Sequence, residues 1–214
     1  MTDAHTHCRR GNARHFFAAP TLETPTADDF LFLGTHPWHA ATYREGDLRA
    51  ALAVNPRLGV GEIGLDRLKE RTISPVMRSV FESQLRLAAD FHRPVVLHGA
   101  RCWGQVVAAC KPYQGLIPAF LFHGFSRSWG LLPEIAALNG FISVGPTILN
   151  DHAVNYRDAV RTIPRDRLLL ETDALPTDAA PTIEDVLAAT ARVLGLAPSD
   201  LEALTDANAR RFRG

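Results

Sequence analysis

The sequence predicts a compact (β/α)8 barrel with a shortened second unit, laid out as one domain over residues 1–214. Three observations carry that expectation. Eight short apolar runs recur along the chain, each followed by a polar or Gly-containing turn and then a helical pattern. Polar residues gather at the C-terminal ends of these runs. A doubly wound sheet is the structural alternative, but neither GxGxxG nor GxxxxGK[ST] occurs to supply its phosphate loop. The length, 214 residues, falls below the roughly 250 typical of such barrels but inside their range.

The elements follow in order. TDAHTH opens the chain, and its period-two alternation lines up Asp3, His5 and His7 on one face. RHFFAA is the weakest of the eight runs, and residues 10–30 around it read as loop. FLFLGTHP and LGVGEIGLD give the next two strands. SVFESQLRLAADFH places Phe81, Leu85, Ala88 and Phe91 near helical spacing, which predicts an amphipathic helix. PVVLHGA and AFLFHGF are strands five and six. LLPEIAALNG predicts a helix with Gly140 at its C-cap. GFISVG and RLLLETDA complete the strands. TIEDVLAATARVLG starts with Thr182 and Asp185 at capping-box spacing, and Ser199 with Glu202 repeats the signal before SDLEALTDANARRF.

Bulk properties narrow the function classes. Hydrophobic residues make up 46% and charged residues 21%, as in ordinary soluble globular chains. The formal net charge is zero, which argues against a broad basic surface for non-specific nucleic-acid binding while leaving room for a local basic pocket. Cys8, Cys102 and Cys110 are odd in number and form no CxxC pair, so reduced thiols and a cytoplasmic location are expected. No apolar run reaches the roughly 20 residues of a membrane span. No cleavable leader is expected either, because the first strand signal and its polar motif begin at residue 3.

The polar residues at strand ends carry the chemistry. His5 and His7 close the first run, His36 the third, Glu62 sits in the fourth, His98 closes the fifth, His123 the sixth and Asp173 the eighth. In a barrel all of these ends meet at one mouth, where active sites sit. Any one of them reads equally as a hydrogen-bonded loop or turn residue; the coincidence across successive strands does not. With His36 set aside, four histidines and two carboxylates remain as a metal-ligand set.

The stretches DAHTH, GTHPWHA, GEIGLD, FESQLRLAADFHRPVVLH, FHGFS and ETDA, in that order, resemble the TatD-type metal-dependent hydrolases of the amidohydrolase-like barrel group. The resemblance runs from residue 3 to about residue 176. It implies a pair of divalent ions (Zn, Mn or Mg) and hydrolysis of phosphodiesters, commonly described as deoxyribonuclease activity. By that resemblance His5, His7, Glu62 and Asp173 hold one ion. Glu62 bridges to a second held with His98 and His123, and His36 touches substrate. Three features depart from the pattern. The segment between His7 and His36 is short, Gly124 stands where a Cys is usual, and Arg127 stands where a Gly is usual.

The residue types suit this chemistry. Glu62 has two oxygens, one for each ion; related barrels use a carboxylated lysine there, but neither Lys69 nor Lys111 lies at a strand end. Imidazoles favour transition metals over Ca, with Mg possible as an exchangeable ion. Two ions can clamp the attacking and leaving oxygens of phosphoryl transfer. Asp173 would orient the water and take its proton, which makes Asp173 and Glu62 the catalytic pair. Arg101 and Arg127 follow the strand-end histidines and can bind phosphate through their planar forks, or equally form surface salt bridges. Glu171 reads as a supporting partner, His39 and His92 as surface residues, and His15 and His152 as solvated. Trp38, Trp103 and Trp129 each follow a strand-end motif and would ring the mouth, either stacking on bases or roofing the barrel.

The expected substrate is a small phosphodiester or single-stranded DNA, with no membrane and no obligate protein partner indicated. The alternatives are a C–N or lactone hydrolase using the same metal pair, and a non-catalytic metal-binding protein.

Overall fold

The computed structural model describes residues 1–9, 13–18, 29–176 and 181–214. Eight strands form one parallel sheet in strict sequence order. They are β1 (Thr2–Thr6), β2 (Arg14–Ala18), β3 (Phe30–Leu33), β4 (Gly59–Asp66), β5 (Val95–Ala100), β6 (Phe120–Phe122), β7 (Gly140–Val144) and β8 (Leu168–Leu170). The sheet curls until its ends meet. Beyond β8, Asp173 donates its main-chain N–H to the His5 carbonyl and His7 donates to the Ala174 carbonyl, both at 3.0 Å. Next to this seam the Asp3 carboxylate accepts from the Thr172 N–H at 3.0 Å and the Thr172 hydroxyl at 2.6 Å.

The helices are α1 (Glu45–Val54), α2 (Pro75–Asp90), α3 (Trp103–Cys110), α4 (Leu132–Ala137), α5 (Val154–Val160), α6 (Ile183–Leu194) and α7 (Pro198–Arg213). Strand alternation sorts the buried side chains into two apolar cores. Val60, Leu65, Leu97, Phe122, Val144 and Leu170 pack outward with helix residues such as Phe81, Leu85, Val106 and Val186. Phe16, Phe32, Val96, Leu121, Phe141 and Leu169 form a separate inner cluster with Phe212 of α7. The Phe212 ring lies 5.9 Å from Phe32 and 5.6 Å from Phe141, so the last helix caps the inner cluster. Salt bridges from the Met1 amine to Glu202 and Asp206 tie β1 to the same helix.

Two helix starts carry side-chain caps. Ser74 caps α2 by accepting from the Met77 N–H, with Pro75 in the first turn. Thr182 and Asp185 form the full capping box of α6. Two expectations are corrected. Gly140 is not the cap of α4. Asn139 takes the left-handed conformation after that helix (φ 54°), and Gly140 begins β7. Ser199 does not cap α7, because the helix already starts at Pro198 with Ala197 in the cap position; Glu202 pairs with the chain's first residue instead. The loop expected over residues 10–30 contains β2; its stretches 10–12 and 19–28 lie outside the described residues.

One glycine sets the geometry at the mouth. Gly64 pairs in register with His98, and an added Cβ there would fall 2.0 Å from the His98 carbonyl oxygen. Its backbone also has φ +154°, which side chains rarely adopt. A glycine at this point therefore lets β4 approach β5 closely.

Candidate metal centre

His5, His7, Glu62, His98, His123 and Asp173 converge from the C-terminal parts of β1, β5 and β6, the middle of β4 and the segment just beyond β8. The Glu62 carboxylate lies at their centre, and its two oxygens face different partners. Oε1 lies 2.7 Å from His98 Nδ1 and 2.7 Å from His123 Nε2. Oε2 lies 3.5 Å from His5 Nε2 and 3.6 Å from His7 Nε2. Asp173 Oδ1 closes the second group at 3.5 Å from His5 Nε2 and 3.6 Å from His7 Nε2.

The electrostatics reflect this crowding. Burial alone would push the Glu62 carboxyl up, but His123, His5 and His98 overcome it and hold the group well below the usual carboxylate range. Burial disfavours a charged His123, yet Glu62 and Glu171 raise it well above the usual histidine value. Glu171 accepts from the Gly124 N–H at 2.7 Å and the Ser143 hydroxyl at 2.5 Å. Its Oε1 is 3.7 Å from His123 Nδ1. It thus supports His123 from behind, as expected. Asp3 does not join the cluster, although strand alternation suggested it; its oxygens are taken up by Thr172.

His36 stands beside the Oε1 group, with Nε2 at 3.6 Å from Glu62 Oε1 and 3.4 Å from His98 Nδ1. Its Nδ1 accepts from the Trp38 N–H at 3.2 Å, so a neutral ring carries its proton on Nε2, facing the site. Burial lowers its pKa to about 4, which keeps the ring neutral near pH 7.

The donor set fits divalent ions. His5 Nε2 is buried without a hydrogen-bond partner, between two carboxylate oxygens. An orphaned imidazole nitrogen in that position matches a cation ligand. Three ligand groups each come within range of one ion: His5–His7–Glu62, His5–His123–Asp173 and His36–Glu62–His98.

A cleft of about 790 Å3 opens from His98, His123 and Asp173. Arg101 and Arg127 both line it, exposed and in the left-handed conformation (φ 59° and 65°). Arg67 lines it too and was missed in the sequence. Asp173 shares the left-handed conformation (φ 50°), a backbone held by the seam hydrogen bond to His5.

The ring of tryptophans is corrected. Trp103 is only 4% exposed and packs on Phe122 and Phe125, in space that Gly99 leaves open. Trp129 packs edge-on against Phe125 and Tyr156. Only Trp38 stands out, 50% exposed beside His36. His15 is also corrected: it is fully buried rather than solvated, with its main-chain N–H bonded to Asp29. His39, His92 and His152 are exposed, as expected.

Asp66 is the main residue that sequence reading missed. It is buried, and its Oδ2 is 2.9 Å from His98 Nε2. The signal was available, because Glu62, Gly64 and Asp66 share one face of β4 by period two.

Comparison with known proteins shows which family the chain is related to. The family model described as TatD related DNase matches residues 18–214. A curated relative from Cronobacter sakazakii, named 3'-5' ssDNA/RNA exonuclease TatD, is 31% identical over 84% of this chain and 74% of its own. The uncharacterized metal-dependent hydrolase YabD of Bacillus subtilis is 29% identical over 68% of this chain and 59% of its own. Among solved structures, YJJV, a TatD homolog from Escherichia coli K12, superposes with a TM-score of 0.78. It covers 93% of this chain and 85% of its own at 24% identity. The family match includes His36, Glu62, His98, His123 and Asp173, five of the seven clustered side chains, and the chain belongs to the TatD-related DNase family.

Proposed function

We propose that this chain is a metal-dependent phosphodiesterase acting on the ends of single-stranded DNA or RNA, with residues 1–214 working as one catalytic domain. The observation that carries the reading is the division of Glu62: one oxygen faces His98 and His123, the other faces His5 and His7 with Asp173 opposite. His5, His7, Glu62 and Asp173 would hold one divalent ion, and Glu62, His98 and His123 a second. The imidazole-rich set favours Zn or Mn, with Mg as an exchangeable occupant. Such a pair, when bound, supplies positive charge to phosphoryl oxygens and makes water a stronger acid.

The chain's own groups do the rest. Asp173 is half exposed to the cleft, where it orients the attacking water and receives its proton. His36 offers an Nε2–H to a non-bridging phosphate oxygen without adding charge. Arg101 and Arg127 bind phosphate oxygens along the cleft wall, and this basic lining favours a phosphodiester over an amide or lactone. Buried, unpaired Cys8, Cys102 and Cys110 accord with a cytoplasmic location. No helix among the described residues is long and apolar enough to cross a membrane.

Elemental analysis and a substrate panel test the reading. About two ions per chain, with hydrolysis of bis-p-nitrophenyl phosphate and of single-stranded DNA from one end, are the expected results. Hydrolysis of lactones or N-acyl compounds with no phosphodiester turnover would replace it with the amidohydrolase alternative.

A further inference from the structure

We infer that Asp66 is a positioning residue that selects which nitrogen of His98 is offered to a metal. The inference rests on the proposed role of His98 as a ligand. His98 stands opposite Gly64, in the gap between Glu62 and Asp66 on the same face of β4. Its Nδ1 lies 2.7 Å from Glu62 Oε1 and its Nε2 lies 2.9 Å from Asp66 Oδ2. A metal ligand needs a free lone pair, and the nitrogen beside the bridging carboxylate is Nδ1. Asp66 faces Nε2 with an oxygen that can only accept, so the ring's remaining proton belongs on Nε2 and Nδ1 is left to bind.

Asp66 is itself fixed. Its Oδ1 accepts the Leu68 N–H at 2.6 Å and the Lys69 N–H at 3.1 Å. The Trp38 indole hydrogen-bonds the same carboxylate. The whole group is 1% exposed. Nothing leaves Asp66 free to turn its other oxygen toward His98.

This arrangement makes an unusual prediction for Asp66→Asn. Two main-chain N–H donors at Oδ1 dictate that the amide oxygen stays with them and the NH2 group turns to His98 Nε2. An N–H donor at that position requires a bare Nε2, which moves the ring proton to Nδ1, the ligand atom. Asp66→Ala removes the partner but imposes no wrong proton position. A merely structural Asp66 would rank the variants the other way, since Asn keeps the shape and most hydrogen bonds.

The experiment uses 15N-histidine-labelled full-length protein and Zn titration against a chelating indicator. The expected order of affinity for the second Zn is wild type, then Asp66→Ala, then Asp66→Asn, with Asn weaker than wild type by roughly 10–100-fold. Metal-free Asp66→Asn should show His98 protonated on Nδ1 and bare on Nε2. Zn-loaded wild type should show the proton on Nε2. An Asn variant binding the second Zn at least as well as the Ala variant, or keeping its proton on Nε2, would overturn the inference. If Asp66→Asn does not fold, a proton on Nδ1 in Zn-loaded wild type overturns it alone. A wild type that binds one Zn only would defeat the paired-metal reading, while the His98 proton position still decides the role of Asp66.

Discussion

Glu62 Oε1 and His123 Nε2 are 2.7 Å apart, and the other Glu62 oxygen faces His5 and His7. One carboxylate therefore belongs to two ligand groups at once. Its loss should not be equivalent to loss of a histidine from either side. His98→Ala removes one nitrogen from the Oε1 group and should lower stoichiometry from about two ions to one. Glu62→Gln should weaken both ions, because the amide carries no charge and half of it donates. Metal content of the purified, saturated proteins decides between these outcomes. One ion in both wild type and His98→Ala counts against the pair.

Asp173 is expected to serve as both ligand and proton acceptor. Asp173→Asn keeps the shape and one carbonyl oxygen, so the Glu62–His98–His123 group should still fill. The amide cannot take a proton, and loss of general-base help costs about 10²–10⁴-fold in rate. Turnover at saturating metal should fall by that order, with circular dichroism unchanged. Full recovery on adding excess metal would make Asp173 a ligand alone.

Trp103 and Trp38 should separate stability from binding. Trp103 is buried against Phe122 and Phe125, so Trp103→Ala should cost about 3–5 kcal/mol of stability. Trp38 is half exposed beside His36. Trp38→Ala should leave the melting temperature nearly unchanged and weaken single-stranded DNA binding by roughly 1–3 kcal/mol, the value of one stacked base. Equal loss of stability in both would assign Trp38 to packing.

Three arginines share the cleft, and each phosphate contact releases counterions. Neutralising Arg67, Arg101 and Arg127 singly to Gln should weaken oligonucleotide binding and flatten its salt dependence. Hydrolysis of bis-p-nitrophenyl phosphate, which offers only one phosphate, should change less. A salt slope identical to wild type in all three variants would remove them from the binding surface.

Asp3 gives a stability signal with a definite sign. Burial pushes its carboxyl up to about 7, against the lowering effect of the Thr172 hydrogen bonds. Between an unfolded pKa of about 4 and 7, the folded chain binds this proton more tightly than the unfolded chain does. Its contribution is therefore full at low pH and is lost as pH rises through 7. In metal-free protein, Asp3→Asn should match wild type near pH 4 and melt higher at pH 8. A constant difference across that range would show that Asp3 does not titrate this way.

Much of the site was legible because barrel strands end in one plane. His5, His7, His98, His123 and Asp173 each stood at the end of an apolar run, Glu62 stood within one, and the fold brings all six together. Asp66 was less visible, since an acidic residue closing a strand reads as the start of an ordinary turn until its partner across the sheet is known. The tryptophans misled for a similar reason. Trp103 follows a strand-end motif but points outward, into the space left by Gly99. α3 gave no signal of its own: it contains Gly104 and two valines and has no side-chain cap. The start of α7 shifted because Pro198 suits a first helical position better than Ser199 suits a cap.

The seam between β1 and the segment after β8 has a consequence for how the barrel holds together. It joins residues 5–7 to residues 173–174 through two main-chain hydrogen bonds, and its two sides carry His5, His7 and Asp173. Joining segments so distant along the chain costs loop-closure entropy that local pairing avoids. A cation taken up by these three side chains binds only the shut seam, and so biases the chain toward it by mass action. The ion would act as a bolt across the barrel's weakest join. Amide exchange at His7 and Asp173 should then be the first to accelerate when a chelator is added, ahead of the strands opposite.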